Sequence, residues 1–252
     1  MIHSARDGYR LGDASTAGRM SFVEHLRELR LRLIYCSIAL LVATGACWSF
    51  RVQLFELLRR PLSSLATNQT LIVLSPLEQF VTYLKLSVLA SVFVTSPFVL
   101  LQIWRFVSPG LYDKERRWLT PFVFLGSLFF CGGAAFAFYV VLPIGFAYLV
   151  AMVPEGVLPQ YSVAVYFSLV IRMLLAFGLV FELPLFMWIL AAARIVKPSM
   201  FRRFRKYWVV VSLACGAILT PPDPLTQIMM AVPLILFFEL GLLGARVLYR
   251  DA

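Results

Sequence analysis

The sequence contains few of the residues that form metal and catalytic sites in soluble enzymes. Its 252 residues include two histidines and four cysteines, Cys36, Cys47, Cys131 and Cys215. The cysteines stand singly within apolar stretches, without the spacing of a zinc site or a redox pair, so they are predicted to be small buried apolar residues. Two histidines nearly exclude a histidine metal site as well. We therefore expect no metal and no cofactor.

Charged residues are also scarce, and most of them are basic. They make up 14% of the chain against 61% hydrophobic residues, which is far too apolar for a soluble domain. The net charge of +10 does not indicate nucleic acid, because the basic residues stand at the ends of apolar runs as topology signals do. No Walker A sequence, nucleophile elbow or zinc-protease helix motif is present. The composition predicts a polytopic membrane protein that is not an enzyme.

The apolar runs predict an all-α fold with six membrane helices. A disordered tail is expected over residues 1–19, the six-helix domain over 20–246, and a short cytoplasmic tail over 247–252. The tail contains no apolar core of a signal peptide. Ser21 and Glu24 form a capping box after it, so Met20 is a candidate natural start. The helices are expected at about residues 33–50, 79–104, 120–152, 166–193, 207–219 and 225–243.

Two features of this arrangement set expectations about the membrane. The fifth helix is short, since about 13 residues reach about 20 Å and a hydrocarbon core is about 30 Å thick. The N-terminal segment, the loops 105–117 and 194–206, and the C-terminal tail contain about 18 of the 23 lysines and arginines. Both termini are therefore predicted to be cytoplasmic.

One carboxylate, Glu182, lies deep inside the fourth apolar run. It is about 18 Å of helix from the basic end at Arg194, and an ionised carboxylate there costs several kcal/mol unless it faces protein, water or a partner. Pro184 cannot donate to the carbonyl of Val180, which leaves an acceptor open beside it. Glu182 is either part of a functional site or a protonated, hydrogen-bonded residue that joins helices.

Two other carboxylates, Glu28 and Glu115, lie among basic residues just before the first and third helices. The positive-inside rule counts lysines and arginines, so it does not explain why these two carboxylates are present. They could pair locally, Glu28 with Arg32 one turn later and Glu115 with its basic neighbours. Alternatively, helix packing brings the two carboxylates together, where they form forked hydrogen bonds with guanidinium groups of a ligand. The spacing leaves both explanations open.

Five motifs, in this order, resemble the TatC family, the multi-spanning receptor subunit of the twin-arginine protein translocase. The similarity extends over about residues 20–246. The motifs are His25-Leu-Arg-Glu-Leu-Arg-Leu-Arg32, Ser75-Pro-Leu-Glu-Gln-Phe80, Trp104-Arg-Phe-Val-Ser-Pro-Gly-Leu-Tyr-Asp-Lys-Glu-Arg-Arg117, Phe177-Gly-Leu-Val-Phe-Glu-Leu-Pro184 and Leu219-Thr-Pro-Pro-Asp223.

The resemblance implies a receptor with a curved, glove-like bundle in the bacterial cytoplasmic (inner) membrane. Glu28 and Glu115, with Phe106 and Arg105 in the same patch, match positions that bind the two consecutive arginines of signal peptides on folded cargo. Glu182 matches an intramembrane acid that faces a concave groove and is linked to single-span partner subunits. The protonmotive force would supply the energy.

Several further expectations follow from the resemblance. Asp223 matches a family acid near the far-side turn, and the short fifth helix fits a locally thinned membrane. The implied partners are twin-arginine signal peptides, single-span TatA/TatB-type subunits, other copies of the chain and membrane lipid. Arg172 is not a family residue and is expected to snorkel to the far interface.

Two alternative functions remain beside the receptor. One is a secondary transporter of a small solute or protons, with Glu182 and Asp223 as a relay, and the other is a structural scaffold.

Overall fold

A computed structural model describes residues 22–63, 71–107, 119–154, 157, 159–192, 194–219 and 224–251. These residues are almost all helical. The elements in chain order are α1 (Phe22–Trp48), α2 (Arg51–Ser63), β1 (Leu71–Ile72), α3 (Glu78–Val107), α4 (Leu119–Phe136), a π-helical turn (Ala137–Val141), α5 (Leu142–Ala151), β2 (Tyr161–Ser162), α6 (Val163–Ala192), α7 (Pro198–Leu219) and α8 (Pro224–Asp251).

Each of the six predicted apolar runs is helical. Residues 22–32 and the predicted first span form one continuous helix, α1. The third run comprises α4, the π-helical turn and α5 in direct succession. Five helical stretches are long and apolar enough to cross a membrane, namely Glu24–Trp48, Glu78–Phe106, Pro121–Ala151, Val163–Ala192 and Gln227–Val247.

The bounds predicted for the last two helices were too narrow. α7 begins at Pro198, so most of the predicted basic loop 194–206 is helical. Arginine and lysine favour helices, and proline favours the first helical position. The basic residues also lower the hydropathy of the segment, so a search for apolar runs does not detect this helix. The same charge keeps α7 out of the five apolar spans, and its apolar part, 207–219, remains short. α8 continues through Asp251, so the predicted C-terminal tail is helical over residues 247–251.

The region between the first two predicted membrane helices contains a further helix, α2, which the apolar runs did not predict. α2 packs on α3 and α5. The hydroxyl of Tyr166, at the start of α6, donates a hydrogen bond to the carbonyl oxygen of Leu58 at 2.8 Å. The contact is buried, so α2 forms part of the core and is not a free surface loop.

The starts of α3 and α6 are joined at one end of the molecule, which we call the far rim. β1 pairs in parallel with β2, Leu71 with Tyr161 and Ile72 with Ser162. The buried Glu78 carboxylate accepts four hydrogen bonds there. The donors are the amides of Leu74 (2.6 Å), Ser75 (3.2 Å) and Ala164 (2.6 Å) and the hydroxyl of Ser162 (2.6 Å). This arrangement places the first residues of α3 and α6 side by side, so that positions along the two helices can be counted from the same starting point.

The long helices form an open row and not a closed bundle. α1 packs mainly on α3, α3 on α4 and α6, α6 on α4 and α8, and α8 on α7. Of residues 24–48, all of which the structure describes, none is buried. α6 lies in the middle of the row and has buried residues along its whole length, from Val163 to Ala191. α1 and α7 are therefore the two ends of the row, and α6 is its centre.

Candidate functional site

The start of α1 and the end of α3 meet in a polar and aromatic cluster, which we call the α1–α3 corner. It comprises His25, Glu28, Arg32, Gln102 and Phe106. The rings of His25 and Phe106 stack with their centroids 4.2 Å apart and an interplanar angle of 18°. The guanidinium of Arg32 donates to the carbonyl oxygen of Gln102 at 2.9 Å and also to the carboxylate of Glu28. These contacts hold α1 against α3.

The two oxygens of Glu28 have different surroundings. Oε1 accepts the hydrogen bond from Arg32, so the local pairing expected from the i+4 spacing is confirmed. Oε2 has no hydrogen-bond partner among the described residues, and Nδ1 of His25 lies 4.0 Å from it. Oε2 is buried, so it can accept a charge-assisted hydrogen bond from a second guanidinium only after the side chains around it move. The corner thus combines an acceptor with an adjacent aromatic stack.

The structure brings some of the predicted site residues together and does not describe others. Phe106 joins Glu28 in the α1–α3 corner through His25, and Arg105 is exposed beside it in the last turn of α3. Glu115 lies within residues 108–118 and Asp223 within 220–223, both outside the described residues. The pairing of Glu28 with Glu115, and the position of Asp223 at the far-side turn, remain predictions.

Glu182 is enclosed between helices, with 4% of its surface exposed. It points from α6 towards α4 and α3. A Cβ atom added to Gly126 would lie 3.2 Å from its Oε2 and 3.2 Å from a methyl carbon of Leu100. Neither carboxylate oxygen has a hydrogen-bond partner among the described residues. Among the described residues, Glu182 forms no hydrogen bond that joins two helices.

Pro184 is buried two residues further along α6, on the side that faces α8. A Cβ atom added to Gly241 of α8 would lie 3.1 Å from the Cα atom of Pro184. The proline therefore lies where two helix backbones approach closely, and Glu182 lies at the contact with α4. Apart from Glu28 Oε2 and the two oxygens of Glu182, the other buried polar side-chain atoms without partners among the described residues are the indole nitrogens of Trp104 and Trp188, the hydroxyl of Ser212 and Nε of Arg246.

Two of the corner's contacts were not foreseen from the sequence. The carbonyl oxygen of Gln102 is a backbone atom, and no residue pattern indicates that Arg32 will reach it from 70 residues away. His25 was recognised as part of a motif, but its stack on Phe106 depends on the packing of α1 against α3.

Among the described residues, no group of three or more His, Cys, Asp or Glu side chains could hold a metal ion.

The fold and these polar groups define a class, an α-helical polytopic membrane protein with one enclosed intramembrane acid and one acid–arginine–aromatic corner. Residues 24–233 match the family model described as "Sec-independent protein translocase protein (TatC)". The chain belongs to the TatC family. The resemblance stated from five motifs is thereby confirmed.

The relatives cover most of the chain. Sec-independent protein translocase protein TatC of Desulforapulum autotrophicum is 40% identical over 227 residues, 90% of this chain and 84% of that protein. The protein of the same name from Aquifex aeolicus is 38% identical over 225 residues, covering 88% and 93%. The one from Escherichia coli K12 is 36% identical over 225 residues, covering 89% and 87%.

A solved structure has the same fold. The crystal structure of a twin-arginine translocase receptor, TatC, superimposes with a TM-score of 0.82 at 36% identity, covering 89% of this chain and 99% of that one. The all-α membrane class is confirmed. The family consists of protein translocase components and not of enzymes, in agreement with the prediction from the sequence. It also favours protein translocation over the secondary-transporter alternative.

Proposed function

We propose that the chain is the receptor subunit of a twin-arginine translocase in the bacterial inner membrane, and that the α1–α3 corner binds the paired arginines of signal peptides. The supporting observation is the state of Glu28, whose Oε1 is bonded to Arg32 while its Oε2 has no hydrogen-bond partner among the described residues. The similar crystallised protein is described as a twin-arginine translocase receptor. Because Oε2 is buried, the side chains around it must move before an incoming guanidinium can bond to it.

Both termini are proposed to be cytoplasmic. Six long helices, α1, α3, the α4–α5 rod, α6, α7 and α8, return the chain to the side on which it began. The loops on that side contain most of the lysines and arginines, which retain segments in the cytoplasm. The α1–α3 corner then faces the compartment in which folded cargo is made.

In the proposed binding step, one signal-peptide arginine bonds to Oε2 of Glu28 and the second to Glu115, with Phe106 and Arg105 beside them. Each charge-assisted bond contributes about 1.5–3 kcal/mol. At Glu115 arginine is favoured over lysine, because a planar guanidinium presents paired donors to the two oxygens of a carboxylate, whereas an ammonium group is a single point charge. The apolar part of the peptide then enters the membrane beside the helices of the row.

Glu182 and Pro184 are proposed as the intramembrane site used by single-span TatA/TatB-type subunits, with further copies of the chain in a larger complex driven by the protonmotive force. The burial of Glu182 between α6, α4 and α3 sets a condition on this step. A partner helix reaches the carboxylate only after α4 separates from α6 near Gly126. Asp223 is proposed to mark the far-side turn of the same groove.

The deciding experiment is a peptide titration on the full-length chain in detergent. An Arg-Arg signal peptide should bind the native chain more tightly than the same peptide with Lys-Lys. The variant Glu28→Ala should bind the Arg-Arg peptide more weakly, and Glu115→Ala should lose most of that preference. Glu56→Ala is a matched control, because Glu56 is an exposed acid of α2 whose partner is Arg59. Equal binding of both peptides by the native chain, or unchanged binding by the Glu28→Ala/Glu115→Ala double variant, would remove the corner from the site.

A further inference from the structure

Two basic side chains from different helices meet on the exposed surface between α3 and α6. Lys85 of α3 and Arg172 of α6 are both exposed, and both contact Ser168. The ammonium nitrogen of Lys85 lies 3.4 Å from the Ser168 hydroxyl, and Nε of Arg172 donates to the Ser168 carbonyl oxygen at 3.0 Å. We call these three residues the Lys85–Arg172 site. It is separate from the α1–α3 corner and from Glu182.

The far rim fixes the depth of this site. Because β1 and β2 are paired and Glu78 bonds to the start of α6, α3 and α6 begin at a common level. Counted from there at 1.5 Å per residue, Lys85 is about 10 Å and Arg172 about 14 Å along its helix. Each helix has 30 residues, about 45 Å, against a hydrocarbon core of about 30 Å. The Cα atoms of both residues therefore lie just inside the hydrocarbon region on the far side, and their side chains are long enough to bring the charges to the interface.

The charge of the site is not balanced within the described protein. Neither Lys85 nor Arg172 forms an ion pair with any described residue. The nearby acid Glu78 already accepts four hydrogen bonds at the far rim. Arg172 uses Nε for Ser168, so the other N–H groups of its guanidinium can still donate. Two adjacent cations that extend to the interface repel each other, and an anion bound between them would balance their charge.

We propose that the Lys85–Arg172 site binds the phosphate group of an anionic phospholipid from the far leaflet. Arginine and lysine donors together with a hydroxyl match the several acceptor oxygens of a phosphate, which arginine engages bidentately. A carboxylate of a partner helix offers only two oxygens. Val88 of α3 is exposed and lies deeper than Lys85, so it would contact an acyl chain of the same lipid. The phosphate of a lipid is held at this interface by its own acyl chains, whereas a soluble anion is not.

The test is native mass spectrometry of the full-length chain in detergent, after equilibration with phosphatidylglycerol or phosphatidylcholine of identical acyl chains. The native chain should retain phosphatidylglycerol in preference. Arg172→Gln should weaken that retention roughly fivefold, Lys85→Gln/Arg172→Gln should abolish the preference, and Arg172→Lys should restore part of it. Arg59→Gln removes an exposed cation already paired with Glu56 at 3.0 Å and should change nothing. Equal melting temperatures would show that the variants are folded.

Three outcomes would overturn the proposal. The first is equal retention of both lipids by the native chain, and the second is unchanged phosphatidylglycerol retention by the double variant. The third is displacement of the lipid by millimolar inorganic phosphate, which would identify a site for small anions. If lipid retention does not change but co-purification of a single-span subunit is lost in the double variant, the ligand is a carboxylate of that partner and not a lipid.

Discussion

Arg32 of α1 donates a hydrogen bond to the carbonyl oxygen of Gln102 of α3 at 2.9 Å, across 70 residues of sequence. The same guanidinium bonds to Glu28, so one side chain both positions the acid of the proposed binding site and holds the first helix on the row. None of residues 24–48 is buried. Polar contacts of this kind therefore contribute more to the position of α1 than they do for an enclosed helix.

Replacing Arg32 by alanine should loosen α1. The change removes two hydrogen bonds made by a charged group and leaves Glu28 without its partner, which we expect to lower the free energy of unfolding by about 2 kcal/mol. This change in the free energy of unfolding can be measured in mixed micelles by increasing the fraction of denaturing detergent. Arg27→Ala is the control, because Arg27 is exposed on the same helix, and it should stay within about 0.5 kcal/mol. Equal effects of the two substitutions would contradict the role of Arg32.

Replacing Glu182 by glutamine should separate peptide binding from partner assembly. Glu182 is enclosed between α6 and α4 and belongs to none of the contacts of the α1–α3 corner, so Arg-Arg peptide affinity should change less than about twofold. Co-purification of single-span subunits, and export of a reporter, should fall. Normal export by the Glu182→Gln variant would refute a role for this acid, whereas loss of peptide binding would show that the two sites are coupled.

Replacing Glu78 by glutamine should weaken the far rim. The carboxylate accepts hydrogen bonds on both oxygens, and an amide NH2 group in place of one oxygen would face two donors. We expect a lower melting temperature and earlier proteolysis between α2 and α3. Glu56→Gln removes an acid from an exposed pair with Arg59, which is worth little. A melting temperature for Glu78→Gln equal to that of Glu56→Gln would contradict the joining of α3 to α6 through Glu78.

Replacing Gly133 by alanine should disturb the contact between α4 and α6. A Cβ atom there would meet the carbonyl oxygen of Phe177 and, at 2.8 Å, the ring of Phe181. Overpacking of this kind costs about 1–3 kcal/mol. The adjacent Gly132 is the control, because a Cβ atom on it meets nothing within 4 Å, and alanine favours a helix over glycine. Detergent unfolding should therefore show Gly133→Ala destabilised and Gly132→Ala unchanged or stabilised.

Prediction from the sequence succeeded where the information is local. Long apolar runs located six helices, and the motif around Glu28 together with the apolar setting of Glu182 identified two acids that the structure places at distinct sites. It was least accurate where charge obscured helicity, as in the first half of α7 and the end of α8. Hydropathy measures transfer into lipid and not the tendency to form a helix, so basic helical turns were predicted as loop and tail.

The order of residues was sufficient to establish a multi-spanning helical protein, its family and its candidate acids, because apolar length, charge placement and motifs are properties of neighbouring residues. Packing alone established that His25 stacks on Phe106, that Glu182 is enclosed without a hydrogen bond from the described residues, and that Lys85 and Arg172 meet at Ser168. The physical reason is that such contacts depend on the rotation and depth of each helix. Those are set by the sum of many weak side-chain contacts and by backbone acceptors, neither of which has a signal in a single sequence.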